Sequence, residues 1–220
     1  MIIPNYRLSA NPAFPDRHAV AHPTHTHDVA AALCMFVTTC PEWQDIGNVV
    51  LAGHSCGAHI LSHILFTLPF DDSPATATPP AALRPSLDHL IGRTHAVAFL
   101  DGITSVRALA REYPGYAFFI EAAFGVDPHA RWEGADAFTE ERAVSRQQAA
   151  AALQALRKIV IAHASADELL TPAQGKLFRD HLARNGFADV LEWDEQTLQG
   201  THDGCLHDKG VGELLYRLLA

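Results

Sequence analysis

The sequence predicts an α/β fold, a mostly parallel sheet flanked by helices, and three observations carry that expectation. Short apolar runs alternate with longer helical patterns along the chain, the mark of strands joined by helical crossovers. One glycine-flanked serine sits between such a run and a helix. The 220 residues are 48% hydrophobic and 19% charged, which suits one domain with a buried core and excludes a disordered chain.

The elements follow in order. Ile2 to Leu8 reads as a strand that begins with no polar leader, and Asn11 to Thr26 as a loop broken by Pro12, Pro15 and Pro23. Asp28 is read as the cap of a helix that runs through Val29, Leu33 and Phe36 toward Cys40, stopped by Pro41. Asn48 to Ala52 is a buried strand, and Ser55 to Leu68 a helix entered by a tight turn. Asp71 to Pro85 is rich in Pro, Ala and Thr and reads as surface loop, with the whole of 71–93 taken as a surface insertion. His95 to Leu100 is a strand; Ser105 to Glu112 and Tyr116 to Phe124 are short helices split by Pro114-Gly115. Glu141 to Leu156 is helical by composition. Ile159 to His163 is a strand, Pro172 to Asn185 a helix, Val190 to Trp193 the last strand, and Val211 to Leu219 the closing helix. Residues 1–220 are expected to form one domain.

Net charge is −9, from 16 basic and 25 acidic residues, which argues against nucleic acid and anionic membrane as partners. No apolar run approaches the ~18 residues of a membrane span, and no secretory leader is seen. Cys34, Cys40, Cys56 and Cys205 show neither metal spacing nor a disulfide framework, so a cytoplasmic protein with reduced thiols is expected. His18, His22, His25 and His27 crowd one loop, but their spacing matches no helical ligand pair with a carboxylate base; neither a metal nor a cofactor is expected.

The chemistry concentrates at Gly53-His54-Ser55-Cys56-Gly57, a G-x-S-x-G pattern at a strand-to-helix turn. Such a turn is strained and needs small flanking residues, a role expected of both Gly53 and Gly57. It raises the Ser55 hydroxyl at the positive end of a helix and leaves the Cys56 N–H free to donate to an oxyanion. His54 is expected to pack against neighbouring strands. A serine nucleophile needs a base, and the base an orienting carboxylate. In the α/β-hydrolase arrangement the chain order is Ser, acid, His. Asp167 lies just past a late strand and His202 in the loop after the last, so these are the acid and base expected; Glu168 is expected to point away. Among the 14 histidines, His207, His181 and His163 are the rivals for the base, His207 the nearest. Phe118, Phe119 and Phe124 are expected in core, with one or two facing a cleft, and Trp132 in packing or a pocket wall.

Several segments then occur in one order: Asn5-Tyr6-Arg7-Leu8-Ser9, His22-Pro23 with Asp28, the elbow with Ala58-His59, Phe118 to Gly125, Asp167-Glu168-Leu169-Leu170 with Gln174, and His202-Asp203. Over nearly its whole length the chain resembles kynurenine formamidase (arylformamidase) in its fungal form, within the α/β hydrolases. The resemblance implies hydrolysis of N-formyl-L-kynurenine to L-kynurenine and formate, in tryptophan degradation toward NAD. It implies Ser55 as nucleophile, His202 as base and Asp167 as its orienting acid. The expected partner is a small aromatic formamide, with a homodimer left open. Such enzymes carry a His-Gly-Gly oxyanion segment ahead of the Tyr-Arg-Leu strand, and this sequence has none. The chain therefore reads as an N-terminally truncated α/β-hydrolase domain that lacks its first strands. Losing one oxyanion donor costs ~100–1000-fold in rate, so weak activity and marginal stability are expected. A carboxylesterase for small esters and a non-catalytic remnant are the competing readings.

Overall fold

A computed structural model describes residues 1–11, 19–66, 84–126, 132, 135, 136, 153 and 156–220. Its sheet has four parallel strands in the order of the sequence: β1 (Val49–His54), β2 (Thr94–Leu100), β3 (Lys158–Ala162) and β4 (Leu191–Asp194). Parallel neighbours require crossovers, and helices supply them. The helices are α1 (Thr24–Thr39), α2 (Cys56–Phe66), α3 (Arg84–Gly92), α4 (Val106–Glu112), α5 (Ala117–Phe124), α6 (Ala173–Leu182) and α7 (Lys209–Leu219). No helix among the described residues is long and apolar enough to cross a membrane.

The central strands β2 and β3 are buried on both faces and are almost continuously apolar, whereas β1, expected to be buried, is only half-buried with Ala52 exposed, and β4 carries Glu192 and Asp194. Val97, Phe99, Ile159 and Ile161 face a large core with Ile64, Leu65 and Phe66 of α2 and Phe178 and Leu182 of α6. The alternate residues Ala96, Ala98, Leu100, Val160 and Ala162 face Leu214 and Leu218 of α7. A third cluster around Val106, Leu109, Ile120 and Leu170 joins α4 and α5.

Four further readings of the sequence are corrected. Ile2 to Leu8 forms no strand: Pro4 has no N–H to give a ladder, and Met1 and Ile3 are exposed. The segment is held by its side chains instead. Arg7 grips Asp28 through two guanidinium nitrogens at 2.9 and 2.7 Å, and Tyr6 meets the Cys56 thiol at 3.2 Å. Asp28 consequently lies inside α1, which starts earlier at Thr24, and serves Arg7 rather than capping the helix. The 71–93 insertion is not all loop, because its described part contains α3, which buries Leu87, Leu90 and Ile91 in the main core; residues 71–83 lie outside the described residues. So does most of the Glu141 to Leu156 helix.

The fourth correction concerns the elbow glycines. A Cβ on Gly53 would lie 2.6 Å from the Gly57 carbonyl oxygen and 2.8 Å from the Ala58 backbone, whereas one on Gly57 would meet nothing within 4 Å. Only Gly53 is sterically required. Gly53→Ala should therefore cost about 1–3 kcal/mol of unfolding free energy by overpacking. Gly57→Ala, on a helix, should leave stability unchanged or raise it by up to about 1 kcal/mol. Urea unfolding of both variants checks this, and a Gly53→Ala protein as stable as the parent contradicts it.

Candidate active site

The elbow lies where β1 hands over to α2. Ser55 has φ 54°, in the left-handed region that a non-glycine residue enters only when its surroundings hold it there. Its backbone supplies that hold: the Ser55 N–H donates to Leu100 O, and its carbonyl accepts from Ala58 and Ile103. Cys56 opens α2, so its N–H is among the donors that the first helical turn leaves without an intrahelical acceptor. The Cys56 side chain lines a largely apolar cavity of about 210 Å³ with Tyr6, Ile60, Ile103, Phe119 and Phe124. Phe118, by contrast, is exposed. Trp132 packs on the α4–α5 cluster and donates its indole N–H to Gly125 O at 3.0 Å.

The loops after β3 and β4 bring the other two residues together. Asp194 ends β4 and its carboxylate accepts from Gln196 N, Thr197 N and the Thr197 hydroxyl, a turn that redirects the chain. The two loops are then zipped by Ser165 N to Leu198 O and Ala166 N to Gly200 O. As a result His202 Nδ1 and Asp167 Oδ2 are 2.8 Å apart, both side chains almost wholly covered at 4% and 0% exposure. The other Asp167 oxygen accepts from Leu169 and Leu170 N–H at 2.8 and 2.9 Å. Burial pushes the Asp167 carboxyl up, but the His202 hydrogen bond and these two N–H donors outweigh it and hold the carboxyl below its usual range. Glu168 does not point away: its Oε2 accepts the His202 backbone N–H at 2.9 Å.

His202 also lies against the elbow. Its ring centroid is 4.6 Å from that of His54, the residue before Ser55, and its carbonyl accepts from His54 Nε2 at 3.0 Å. His54 thus joins the elbow to the loop that carries His202 rather than only packing on strands, and burial lowers its pKa. The rival histidines lie elsewhere. His163 Nδ1 contacts Asp101 Oδ1 at 3.2 Å, and His207 is exposed.

Asp101 is the residue the sequence did not disclose. Its φ is 43° and its side chain is fully buried. One oxygen accepts from Ala164 N at 2.7 Å, beside His163; the other accepts from the Cys205 thiol at 3.2 Å and stands 4.0 Å from His54 Nε2. Burial raises the Asp101 carboxyl and pushes the Cys205 thiol up to about 12. Gln174 of α6 fixes the same loop, its Oε1 accepting from Thr104 and Ser105 N–H. The only sequence sign of Asp101 was an aspartate directly after a strand of apolar residues. The four cysteines are all free thiols. His22, His59 and His63 form a ring cluster at the cavity wall, another grouping the sequence reading missed although His59 and His63 stand four residues apart on α2.

A parallel sheet with a serine on a left-handed strand-to-helix turn, and an Asp–His pair on the loops after its last two strands, is the arrangement of the α/β-hydrolase fold. A truncated carbohydrate esterase from gut microbiota has the same fold at TM-score 0.62 and 14% identity, covering 92% of this chain and 72% of that one. By sequence the chain is similar to fungal kynurenine formamidases. It is 32% identical to that of Scheffersomyces stipitis over 171 residues, 74% of this chain and 59% of the relative. It is 35% identical to that of Eremothecium gossypii over 123 residues, 54% of this chain and 43% of the relative. The matches thus span less than two thirds of those relatives' lengths. No family model matches.

Asp101→Ala should strand the buried Ala164 and Cys205 donors at about 1–3 kcal/mol for each. Asp28→Ala, which frees an exposed arginine, should cost clearly less. Urea midpoints compare them, and equal losses would show that Asp101 holds nothing together. Asp167 has a second, pH-dependent signature. Its folded pKa lies below the ordinary aspartate value of 3.8, so the stability it adds is present above that value and lost as pH falls through the folded one. The stability gap between parent and Asp167→Asn should therefore close on acidification below pH 3.8. A gap that widens there would reverse the sign.

Proposed function

We propose that this site hydrolyses the formyl amide of an arylformamide, with N-formyl-L-kynurenine as the substrate, by acyl transfer to Ser55. The observation that carries the chemistry is the 2.8 Å Asp167–His202 contact against the residue preceding Ser55. The similarity to fungal kynurenine formamidases supports the substrate.

In this reading Asp167 accepts the His202 Nδ1–H, which fixes the tautomer with a free Nε2 lone pair. His202 Nε2 takes the Ser55 proton as Oγ attacks the formyl carbon. The developing oxyanion draws on the Cys56 N–H and the positive end of α2. The tetrahedral intermediate collapses, the C–N bond breaks, and His202 returns the proton to the departing aryl amine. Water, deprotonated by His202, then attacks the formyl ester and releases formate. A formyl group needs almost no room, whereas the leaving group is large and aromatic. The cavity fits that asymmetry: it opens beside Cys56 and offers Tyr6, Phe119 and Phe124 to an aromatic ring. The products are the aromatic amine and formate.

Ser55→Ala should abolish kynurenine release with unchanged thermal unfolding, since only a hydroxyl is lost. Asp167→Asn should lower kcat by about 10⁴-fold through the wrong His202 tautomer. Turnover of N-formylkynurenine against p-nitrophenyl acetate tests the substrate class, a preference for the ester contradicting it. Full turnover by Ser55→Ala would require another nucleophile.

A further inference from the structure

Asp167 orients the His202 ring, but a side chain is aimed by its backbone as well, and both backbone groups of His202 are gripped by side chains. Glu168 Oε2 accepts the His202 N–H at 2.9 Å. His54 Nε2 lies 3.0 Å from the His202 carbonyl oxygen. A carbonyl only accepts, so His54 Nε2 carries the proton and donates it. The Cys205 thiol also reaches that oxygen, at 3.1 Å, but it lies 3.2 Å from Asp101 Oδ2 as well. One S–H serves one acceptor at a time, and a thiol is a weak donor. Asp101 Oδ2 stands 4.0 Å from His54 Nε2, too far to compete for its proton. The bond from His54 is therefore the main hold on the His202 carbonyl.

We infer that His54 is a positioning residue, which sets the place of His202 relative to Ser55 through its Nε2–H bond to the His202 carbonyl. The inference rests on the reading of His202 as the base for Ser55. His54 ends β1 and directly precedes the serine in one rigid turn, with Gly53 packed against the start of α2 and Ser55 at φ 54°. The bond thus refers the base to the nucleophile across a single residue, instead of through the length of two loops. Acyl transfer is sensitive to such placement, an error of about 1 Å costing about 100-fold in rate. Burial first, and His202 second, lower the His54 pKa, which favours an uncharged ring beside the imidazolium that His202 becomes.

This arrangement separates rate from affinity. Among the described residues, those lining the cavity beside Cys56 include neither His54 nor His202 nor Glu168. Loss of the His54 bond should therefore lower kcat and leave KM in place. Two substitutions divide the ring from its proton. Phenylalanine keeps an aromatic ring against His202, 4.6 Å away in the parent, and loses the donor. Glutamine loses the ring and keeps an N–H donor the same number of bonds from the backbone.

The test compares His54→Phe and His54→Gln with the parent in N-formylkynurenine turnover and in the rate at which a fluorophosphonate labels Ser55. His54→Phe should lower kcat and the labelling rate by about 10–100-fold, with KM within about twofold of the parent. His54→Gln should restore both rates to within about fivefold of the parent. A ring needed only for packing would give the opposite order, with phenylalanine the better replacement. If His54→Phe fails to fold, nitrogen-15 spectra of the parent imidazoles decide: His54 should hold its proton on Nε2 and exchange it slowly. If the parent leaves N-formylkynurenine untouched, the arylformamidase reading fails and the labelling rates alone judge His54. His54→Phe reacting at the parent rate, both variants equally impaired, KM raised with kcat unchanged, or a parent His54 protonated on Nδ1 alone each overturns the inference. Full-rate labelling in His202→Gln would remove the base, and the inference with it.

Discussion

The buried carboxylate of Asp101 is the constraint on which the rest of the site depends. It stands directly after β2, in the middle of the chain's parallel order, and reaches the loops that follow the neighbouring strands. It accepts from Ala164 after β3 and from Cys205 beyond β4, and lies close to His54 at the end of β1. A parallel sheet delivers all its strand ends to one edge, where backbone groups have no further ladder to join. One acceptor with two oxygens collects several of those ends at once. The cost is desolvation, seen in the raised pKa of the acid, and the return is a fixed geometry for the loops that carry Asp167 and His202.

From that anchor the geometry of the pair follows by short steps. Asp194 turns the chain out of β4, two backbone bonds zip its loop to the one after β3, and Glu168 takes the His202 N–H. Each contact removes freedom from a loop that would otherwise move, and a base held within a fraction of an ångström is what acyl transfer needs. The elbow is positioned independently, by the tight packing of Gly53 against the first turn of α2. His54 links the two constructions through the His202 carbonyl.

The legible parts of the sequence were those where local pattern and global fold agree. The central strands β2 and β3 carry apolar runs, Ala96 to Leu100 and Ile159 to Ala162, with both faces buried, so composition alone marked them. The elbow was readable because a left-handed serine beside a glycine has few other uses, and chain order pointed to Asp167 and His202, which the structure places 2.8 Å apart. What escaped was set by partners distant in sequence. Ile2 to Leu8 has strand composition, yet Tyr6 and Arg7 find Cys56 and Asp28 instead of a ladder. Asp28 looks like a cap until Arg7 is known to face it. Asp101 and Glu168 owe their roles to loops tens of residues away, and a lone acid after a strand does not announce that. His59 and His63 carried a visible four-residue spacing, but the third ring comes from before α1.

The central claim is that Ser55 is a nucleophile activated through His202. The most direct test is labelling with a fluorophosphonate, in which the serine oxygen bonds to phosphorus and fluoride leaves, followed by peptide mapping. The account predicts one adduct per chain, on Ser55, with the reaction lost in His202→Gln. An adduct on Cys56 or on another hydroxyl, or Ser55 labelling that proceeds at full rate without His202, would contradict it.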